Sequence, residues 1–314
     1  MSGATTVEGP DFSTGIAIAD IPRSGTLVGR VGENPVLLSR LDGQLFAVSG
    51  SCTHYGAALG DGLVHEDTIR CPLHHACFDL RTGRALHAPA LDDLDCWKVR
   101  IEGDRAFVEA RTPCATHKRA IAARRVRKVV IVGGGGAGLA CASQLRKLGY
   151  GGSITMLSAD KDAPCDRPNI SKDYLAGTAP EEWMPLRPDN WYEEQSIDLR
   201  LGVQVERVNA DDRIVRCANG EEFAYDRLLI ATGSEPNRLN GHGFHHPDVL
   251  TLRSLADARA LIERATRAKH VAIVGSSFIG LEAASALSKR GAEVSIVSVE
   301  HVPFEGTLGT ELGA

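Results

Sequence analysis

The second part of the chain contains an internal repeat, and this repeat limits the fold more than any other feature. Residues 129–149 match residues 271–291 at 11 of 21 positions without a gap. Each copy begins with an apolar strand, turns on a glycine-containing stretch and continues into a helical pattern. Strands that alternate with helices in this way build parallel sheets. The repeat therefore predicts two related strand–turn–helix units.

Ahead of the repeat, short apolar stretches are separated by Gly, Pro and Asp turns, a pattern typical of antiparallel strands. The predicted strands there cover residues 25–31, 34–39, 44–48, 68–70, 97–101 and 105–109. Further strands are predicted at 153–157, 198–208, 213–217, 227–230 and 293–297, and residues 248–265 lead into a helix. The sequence thus predicts a multidomain protein with a small all-β domain at 1–112, a linker at 113–127 and an α/β portion from residue 128.

Composition argues against several function classes. The formal charge is -5, and 43% of the residues are hydrophobic. We expect no nucleic-acid partner because the chain is not basic, and no membrane span because no apolar run approaches about 20 residues. The N-terminus has neither a signal-peptide nor a transit-peptide pattern, so the expected location is cytoplasmic. The eight cysteines are spread along the chain without a C-x-x-C pair, which argues against thiol–disulfide chemistry.

Two cysteines and two histidines form a compact metal-ligand pattern. Cys52 and His54 give C-x-H, and Cys71 and His74 give C-x-x-H, each pair after a predicted strand. Thiolate and imidazole ligands suit a [2Fe–2S] cluster with two histidines on one iron. They also suit a tetrahedral zinc ion, and unrelated buried cysteines are the third interpretation. The ligand types alone therefore predict a metal centre but leave the metal open.

The residues around these ligands resemble the two cluster-binding loops of Rieske ferredoxins. The likeness runs through Cys-Thr-His-Tyr-Gly-Ala-Ala-Leu-Gly-Asp-Gly from Cys52 and Cys-Pro-Leu-His-His-Ala-Cys-Phe-Asp-Leu-Arg-Thr-Gly from Cys71. It implies a [2Fe–2S] cluster on the four ligands named above. Gly56 stands where respiratory Rieske proteins have an extra cysteine, which favours the lower-potential ferredoxin type. His75 stands where the family usually has Gly.

The first copy of the repeat has the spacing of a dinucleotide-binding turn. A strand runs into G-x-G-x-x-G, whose glycines permit the tight turn, the approach of a pyrophosphate and the packing of helix on strand. The candidate binding residues of this turn are Gly133, Gly135, Gly136, Ala137 and Gly138. Asp160 follows Gly138 by 22 residues, close to where such units place a ribose-binding acid. This copy therefore predicts a dinucleotide site.

Two further segments resemble flavin contacts of the ferredoxin reductases of oxygenase systems and of the apoptosis-inducing-factor family. Residues 164–172 resemble the second contact, which implies that Arg167 lies along the cofactor phosphates and Lys172 beside the isoalloxazine ring. Residues 228–234 resemble the third contact. The remaining residues assigned to the flavin site are Val205, Ala231, Thr232 and Gly233. The resemblance implies FAD, with the first segment of its domain at 128–245.

The second copy of the repeat keeps the first and third glycines and replaces the second by serine. Its candidate NAD-binding residues are Gly275, Ser276, Ser277, Phe278, Ile279 and Gly280. Glu300 follows the last of these by twenty residues, where an acid binds an adenosine ribose and repels a 2′-phosphate. This copy therefore predicts a partial NAD-binding domain at 246–314 that prefers NADH to NADPH.

Glu282 lies just after the second turn and matches a glutamate that pairs with the flavin-side lysine in these reductase families. The resemblance therefore implies an ion pair between Lys172 and Glu282, the two candidate catalytic residues. Because the cofactors perform the redox chemistry, no acid, base or nucleophile is demanded of the protein.

The order of the domains resembles the Rieske-containing, apoptosis-inducing-factor-like flavoprotein reductases. It implies electron transfer from NADH through FAD to the cluster and on to a ferredoxin or oxygenase-type acceptor. Two alternatives stay open: a redox-sensing binding protein with incidental turnover, and a chain that acts only as a Rieske electron carrier. Relatives continue beyond the position of Ala314, so we expect the C-terminal part of the NAD domain to be missing. A homodimer stays open for the full-length family form.

Overall fold

The computed structural model describes residues 9–112 and 126–314. The chain divides into two compact units, Met1–His117 and Lys118–Ala314. Residues 113–125, most of the predicted linker, lie outside the described residues. The domain limits expected from the sequence therefore stay predictions.

The first unit is built of two antiparallel sheets. Its strands are β1 (Ile16–Ala17), β2 (Thr26–Val31), β3 (Asn34–Leu41), β4 (Gln44–Ser49), β5 (Leu63–His65), β6 (Thr68–Arg70), β7 (Cys77–Asp79), β8 (Ala85–His87), β9 (Cys96–Glu102) and β10 (Arg105–Thr112). The larger sheet has the order β1-β10-β9-β4-β3-β2, and the smaller has the order β5-β6-β7-β8. Sequence reasoning missed β1, β5, β7 and β8, whose two or three residues leave little periodic pattern, although β6 is equally short and was predicted at residues 68–70.

Strand β3 is buried on both faces and connects two apolar clusters. One face packs on a cluster around Phe12. The other face, through Leu37, packs on a second cluster that includes Cys52 and Cys71. Because side chains alternate along a strand, one strand serves both clusters. The two cysteines are thereby fixed against a central strand although they lie in loops.

The loop after β4 is closed by two backbone hydrogen bonds. Cys52 N donates to Ala57 O at 2.9 Å, and Gly56 N donates to Cys52 O at 2.9 Å. The turn contains a left-handed residue, Gly56, with a φ of 71°. Glycine adopts this conformation without a Cβ penalty. His54 therefore lies on a tight, hydrogen-bonded turn.

The loop after β6 repeats this arrangement, and we call residues 52–57 and 71–76 the Cys–His loops. Cys71 N donates to Ala76 O at 2.8 Å, and His75 N donates to Cys71 O at 3.0 Å. Here the left-handed residue is His75, with a φ of 59°. A side chain in this conformation costs about 1–2 kcal/mol. The preference for Gly at this position thus has a backbone cause, and His75 is strained.

The second unit alternates strands and helices. Its elements are β11 (Lys128–Val132), α1 (Gly136–Lys147), β12 (Ser153–Leu157), α2 (Arg167–Ile170), α3 (Asp173–Ala176), α4 (Asp189–Glu194), β13 (Ile197–Arg200), β14 (Val205–Asn209), β15 (Ile214–Cys217), β16 (Glu222–Ala224), β17 (Arg227–Ile230), α5 (Leu255–Arg267), β18 (His270–Val274), α6 (Phe278–Lys289), β19 (Glu293–Val297), α7 (Glu305–Leu308) and α8 (Thr310–Gly313). Its sheets have the orders β13-β12-β11-β17, β14-β15-β16 and β18-β19. The first and third are parallel, as the repeat predicts. No helix in the described ranges is long and apolar enough to cross a membrane.

The single strand predicted at residues 198–208 is wrong, because the structure has two strands there. Strand β13 joins the parallel sheet beside β12, whereas β14 pairs antiparallel with β15. Gly202 turns the chain between them with a φ of 69°. Apolar residues alternate from Leu199 to Val205, across the end of β13 and into β14, so the sequence pattern gave no sign of the change of sheet.

Arg146, near the end of α1, fixes the starts of two neighbouring strands. Its guanidinium donates to four backbone carbonyl oxygens, those of Tyr150 (2.6 Å), Gly152 (2.9 Å), Gln195 (2.6 Å) and Ser196 (2.7 Å). The first two carbonyls precede β12, and the last two precede β13. One side chain therefore connects a helix to both strand entries.

We predict that Arg146→Met lowers the free energy of unfolding by about 3 kcal/mol, because several charge-assisted hydrogen bonds are lost together. Arg146→Lys should give an intermediate loss, since an ammonium group lacks the planar fork that reaches these carbonyls. Urea denaturation followed by circular dichroism measures both. Arg207→Met, at an exposed position of β14, is the control and should change the value by less than about 0.5 kcal/mol. An Arg146→Met effect no larger than the control's contradicts this role.

We predict that His75→Gly raises the free energy of unfolding by about 0.5–1 kcal/mol, because relief of left-handed strain exceeds the entropy that glycine adds to the unfolded chain. The matched reverse change is Gly56→Ala, where an added Cβ meets nothing within 4 Å. Its cost is therefore conformational, about 1 kcal/mol of lost stability. Urea denaturation compares the two variants. A lower free energy of unfolding for His75→Gly would show that the imidazole stabilises the fold by more than its left-handed backbone costs.

Candidate cofactor sites

The Cys–His loops bring their cysteines together inside the first unit. Cys52 and Cys71 are 3% and 2% exposed, and both belong to one buried apolar cluster. Burial raises the pKa of the Cys52 thiol to about 11, and its contact with Cys71 also acts in this direction. Two such thiols are suited to a bound metal, because its positive charge stabilises the thiolates that burial disfavours.

The two histidines lie at the outer side of the same site. The rings of His54 and His74 have centroids 4.9 Å apart and meet edge to face, and His74 is exposed. Across residues 9–112 and 126–314, no three His, Cys, Asp or Glu side chains are placed to hold one metal ion. Two inner thiols and two outer imidazoles match the division of ligands between the irons of a two-iron cluster. The residues therefore fit the ligand set of a [2Fe–2S] cluster.

An exposed aromatic ring covers the histidines. The Tyr55 ring stacks on His54 with centroids 4.0 Å apart and meets His74 edge-on at 5.7 Å. Tyr55 and Leu73 are 53% and 59% exposed. Sequence reasoning missed both, although each is adjacent in sequence to a ligand histidine. Two exposed, uncharged side chains therefore lie beside the outer ligands.

The first glycine turn follows β11 and begins α1. Gly133 has a φ of 122°, and a Cβ there would overlap the carbonyl oxygen of Ala231. A Cβ on Gly138 would overlap the carbonyl oxygen of Gly133. The turn therefore accepts only glycine at these two positions. Because β11 and β17 are parallel neighbours, the turn lies at the same sheet edge as the end of β17 and the residues that follow it, Ala231, Thr232 and Gly233.

Arg167 and Asp160 lie beside this turn. Arg167 Nη2 is 3.5 Å from Asp160 Oδ2, and a Cβ added to Gly135 would lie 3.9 Å from the same nitrogen. A Cβ on Gly136 would meet nothing within 4 Å. Open space bordered by a cation at a helix N-terminus is what a pyrophosphate requires. These residues therefore fit the phosphates of a dinucleotide.

Two other residues assigned to the flavin site have different surroundings. Ala137 is exposed in the first turn of α1. Val205, on β14, packs against an apolar cluster that includes Val130 and Val132. Their contact with a cofactor stays a prediction.

The second glycine turn repeats the backbone of the first. Gly275 has a φ of 113°, and a Cβ on Gly280 would overlap the carbonyl oxygen of Gly275. Ser277 has φ and ψ of -94° and -171°, close to the -90° and -173° of Gly135. Residues other than glycine adopt this extended conformation freely, so serine preserves the turn. Beyond it, Phe278 and Ile279 are about half exposed at the start of α6.

Glu300 lies beside the second turn, and two donors hold its carboxylate. Gly306 N donates to Oε1 at 3.0 Å, and Ser276 Oγ donates to Oε2 at 3.4 Å. Ser298 Oγ accepts from Glu300 N at 3.1 Å and lies 2.7 Å from Ser276 Oγ. Sequence reasoning did not find Ser298 or Gly306. The carboxylate is therefore fixed near the turn, where the spacing places a ribose-binding acid.

The structure brings Lys172 and Glu282 into contact. Lys172 Nζ is 3.0 Å from Glu282 Oε1, so the pair implied by the resemblance is present. Lys172 lies between α2 and α3, and Glu282 lies in the first part of α6. The contact therefore joins the segment assigned to the flavin to the helix of the second repeat copy.

Comparison with known proteins identifies both units. Residues 127–314 match the family model described as pyridine nucleotide-disulphide oxidoreductase, which is more than half of the chain. Residues 16–98 match the model of the Rieske [2Fe-2S] domain. The sequence interpretation of both units is confirmed.

Individual relatives agree with these matches. Apoptosis-inducing factor 3 from Homo sapiens is 34% identical over 300 residues, covering 90% of this chain and 48% of that protein. Rubredoxin-NAD(+) reductase from Pseudomonas putida is 36% identical over 169 residues, covering 54% of this chain and 44% of the reductase. The crystal structure of the ferredoxin reductase for the CYP199A2 system from Rhodopseudomonas palustris gives a TM-score of 0.56 at 31% identity, covering 59% of this chain and 46% of that one.

The chain thus spans about half the length of the curated relatives it matches. The cofactors of its two matched units are a [2Fe–2S] cluster in the Rieske domain and FAD and NAD in the oxidoreductase unit. The chain belongs to the pyridine nucleotide-disulphide oxidoreductase family and bears a Rieske [2Fe-2S] domain ahead of its oxidoreductase unit.

Proposed function

We propose that the chain takes electrons from NADH at its flavin unit and passes them through the Rieske cluster to a ferredoxin or oxygenase-type acceptor. The observation that carries the proposal is the contact between Lys172 and Glu282. It joins the segment assigned to the flavin to the helix assigned to NAD, and electron transfer from NADH requires these two cofactors to meet.

The relatives support the direction of flow. The names of two of them describe reductases of rubredoxin and of ferredoxin, which are separate one-electron carriers. In this chain a Rieske domain precedes the reductase unit on the same polypeptide. We therefore assign the Rieske domain the position that a separate carrier has in those systems.

Bound FAD supplies the change from two-electron to one-electron transfer, and the protein residues bind and orient. The glycine turn and Arg167 hold the phosphates of FAD, with Asp160 beside them. Lys172, paired with Glu282, keeps a cation at the flavin ring. The carboxylate of Glu300 holds the adenosine ribose of NADH. The remaining glycines and serines of the two turns let the pyrophosphates of the cofactors approach the protein backbone closely.

The outlet lies at the outer histidines of the Rieske domain. His74 is exposed, and Tyr55 lies against both imidazoles. The exposed neighbour Leu73 adds apolar surface. An acceptor that contacts this surface would lie next to His54 and His74. These histidines would bind the iron from which we propose that the electron leaves.

We predict that Lys172→Met slows reduction of the flavin by NADH about tenfold or more, because the cation at the ring is lost. Anaerobic rapid mixing with NADH measures the flavin and cluster absorbances separately. Lys269→Met, which replaces an exposed lysine just before β18, is the control and should reduce as the unmodified protein does. Flavin bleaching without cluster reduction in the unmodified protein would contradict the internal relay.

We predict that Glu300→Gln narrows the preference for NADH over NADPH by about tenfold, because the carboxylate that repels a 2′-phosphate becomes neutral. The measurement is the ratio of kcat/KM for the two nucleotides. Glu293→Gln provides a matched control at the opposite end of β19, about 13 Å of strand from the end that leads to Glu300. If both variants keep the original ratio, Glu300 does not select the nucleotide.

A further inference from the structure

The carboxylate of Glu282 is held by two donors from one short segment. Lys172 Nζ lies 3.0 Å from Oε1. Ser171 Oγ lies 2.6 Å from Oε2. Both oxygens are therefore engaged by consecutive residues, and only the lysine was implied by the sequence.

The proton of Ser171 can be assigned from the neighbouring acceptors. The hydroxyl has one hydrogen and two acceptors in reach, Glu282 Oε2 at 2.6 Å and Pro168 O at 3.2 Å. An ionised carboxylate cannot donate, so a contact this short requires the hydroxyl to donate to Glu282. Pro168 O receives Lys172 Nζ instead, at 3.2 Å. The four groups form a closed arrangement in which each donor has an acceptor.

The two donors to Glu282 differ in how deeply they are buried. Ser171 is 5% exposed, whereas the Lys172 side chain is 48% exposed and the Glu282 side chain 27%. An ion pair with an exposed lysine fixes geometry weakly, because water competes for both groups. A charge-assisted hydrogen bond from a buried hydroxyl is short and directional. Ser171 therefore fixes the carboxylate from the inner side.

The backbone around Glu282 is fixed independently. Arg290, just beyond α6, donates to the carbonyl oxygens of Leu175 and Tyr174. Leu175 also packs against Ala283 and Leu287 of α6 in one apolar cluster. The helix is thus held along the segment that contains Ser171. The main freedom left to Glu282 is rotation of its side chain, which the Ser171 hydroxyl removes.

We infer that Ser171 is a positioning residue that orients Glu282 toward Lys172. The inference rests on the proposed function and deepens it, since it names the group that sets the pair at the flavin face. Without the hydroxyl, the carboxylate turns away from Lys172 for part of the time. The lysine then loses a fixed partner while the fold and both nucleotide turns stay intact.

The test compares Ser171→Ala with Ser171→Thr, which restores a hydroxyl, in the full chain. Ser143→Ala is the matched control, because Ser143 is also buried and its Oγ has no hydrogen-bond partner within the described residues. The first readout is the rate at which an N-hydroxysuccinimide ester acylates Lys172, measured by peptide mass spectrometry. It does not depend on a bound cofactor. The second is the rate of flavin reduction at saturating NADH, together with the Kd of NADH.

For Ser171→Ala we expect acylation of Lys172 to rise about fivefold. Flavin reduction should slow about tenfold with an unchanged Kd of NADH, because misplacing a charged group beside the reacting atoms costs rate rather than affinity. Ser171→Thr should restore both values toward those of the unmodified protein, and Ser143→Ala should change neither. Unchanged acylation in Ser171→Ala overturns the inference, even if its thermal stability falls. If acylation rises but Lys172→Met leaves flavin reduction intact, the positioning stands and the proposed role of the pair fails.

Discussion

In both nucleotide-type units, the third glycine of the turn lies in the following helix and packs against the carbonyl oxygen of the first glycine of the turn. Neither Gly138 nor Gly280 leaves room for a Cβ, so backbone meets backbone and the helix N-terminus is brought to the strand end. This approach determines where the phosphates of a dinucleotide can lie. Asp160 and Glu300 each come from a loop at the same sheet edge as their turn, and Arg167 begins α2 beside the first turn. The second glycine is less restrictive, which is why serine replaces it in the second copy.

In the Rieske domain, the two Cys–His loops are held in place by burial and backbone hydrogen bonds and not by a disulfide between them. Its two inner cysteines belong to the same apolar cluster as the central strand β3, and each loop is closed by the same pair of backbone hydrogen bonds. Burial keeps the thiols inside, whereas His74 is exposed and His54 is partly exposed. The centre therefore has a protected side and an accessible side, as an electron-transfer site requires.

Sequence reasoning succeeded where a pattern is local or where a resemblance supplied distant information. The strands at 68–70, 153–157, 227–230 and 293–297 have the predicted bounds. The family resemblance implies the Lys172–Glu282 pair, and the structure contains it. It failed where the cause is non-local. The split of residues 198–208 depends on which sheet accepts each half. The contacts of Ser171 with Glu282, of Tyr55 with His74 and of Arg146 with Gln195 join residues that are far apart in the sequence, so only the three-dimensional structure reveals them.

If one chain holds both the cluster and the flavin, its cofactor content shows both together. Iron, acid-labile sulfide and FAD released by denaturation are measured on the same purified protein. We predict two irons and two sulfides for each FAD, as one [2Fe–2S] cluster and one flavin in each chain require. Zinc in place of iron, or a full cluster without FAD, would contradict it.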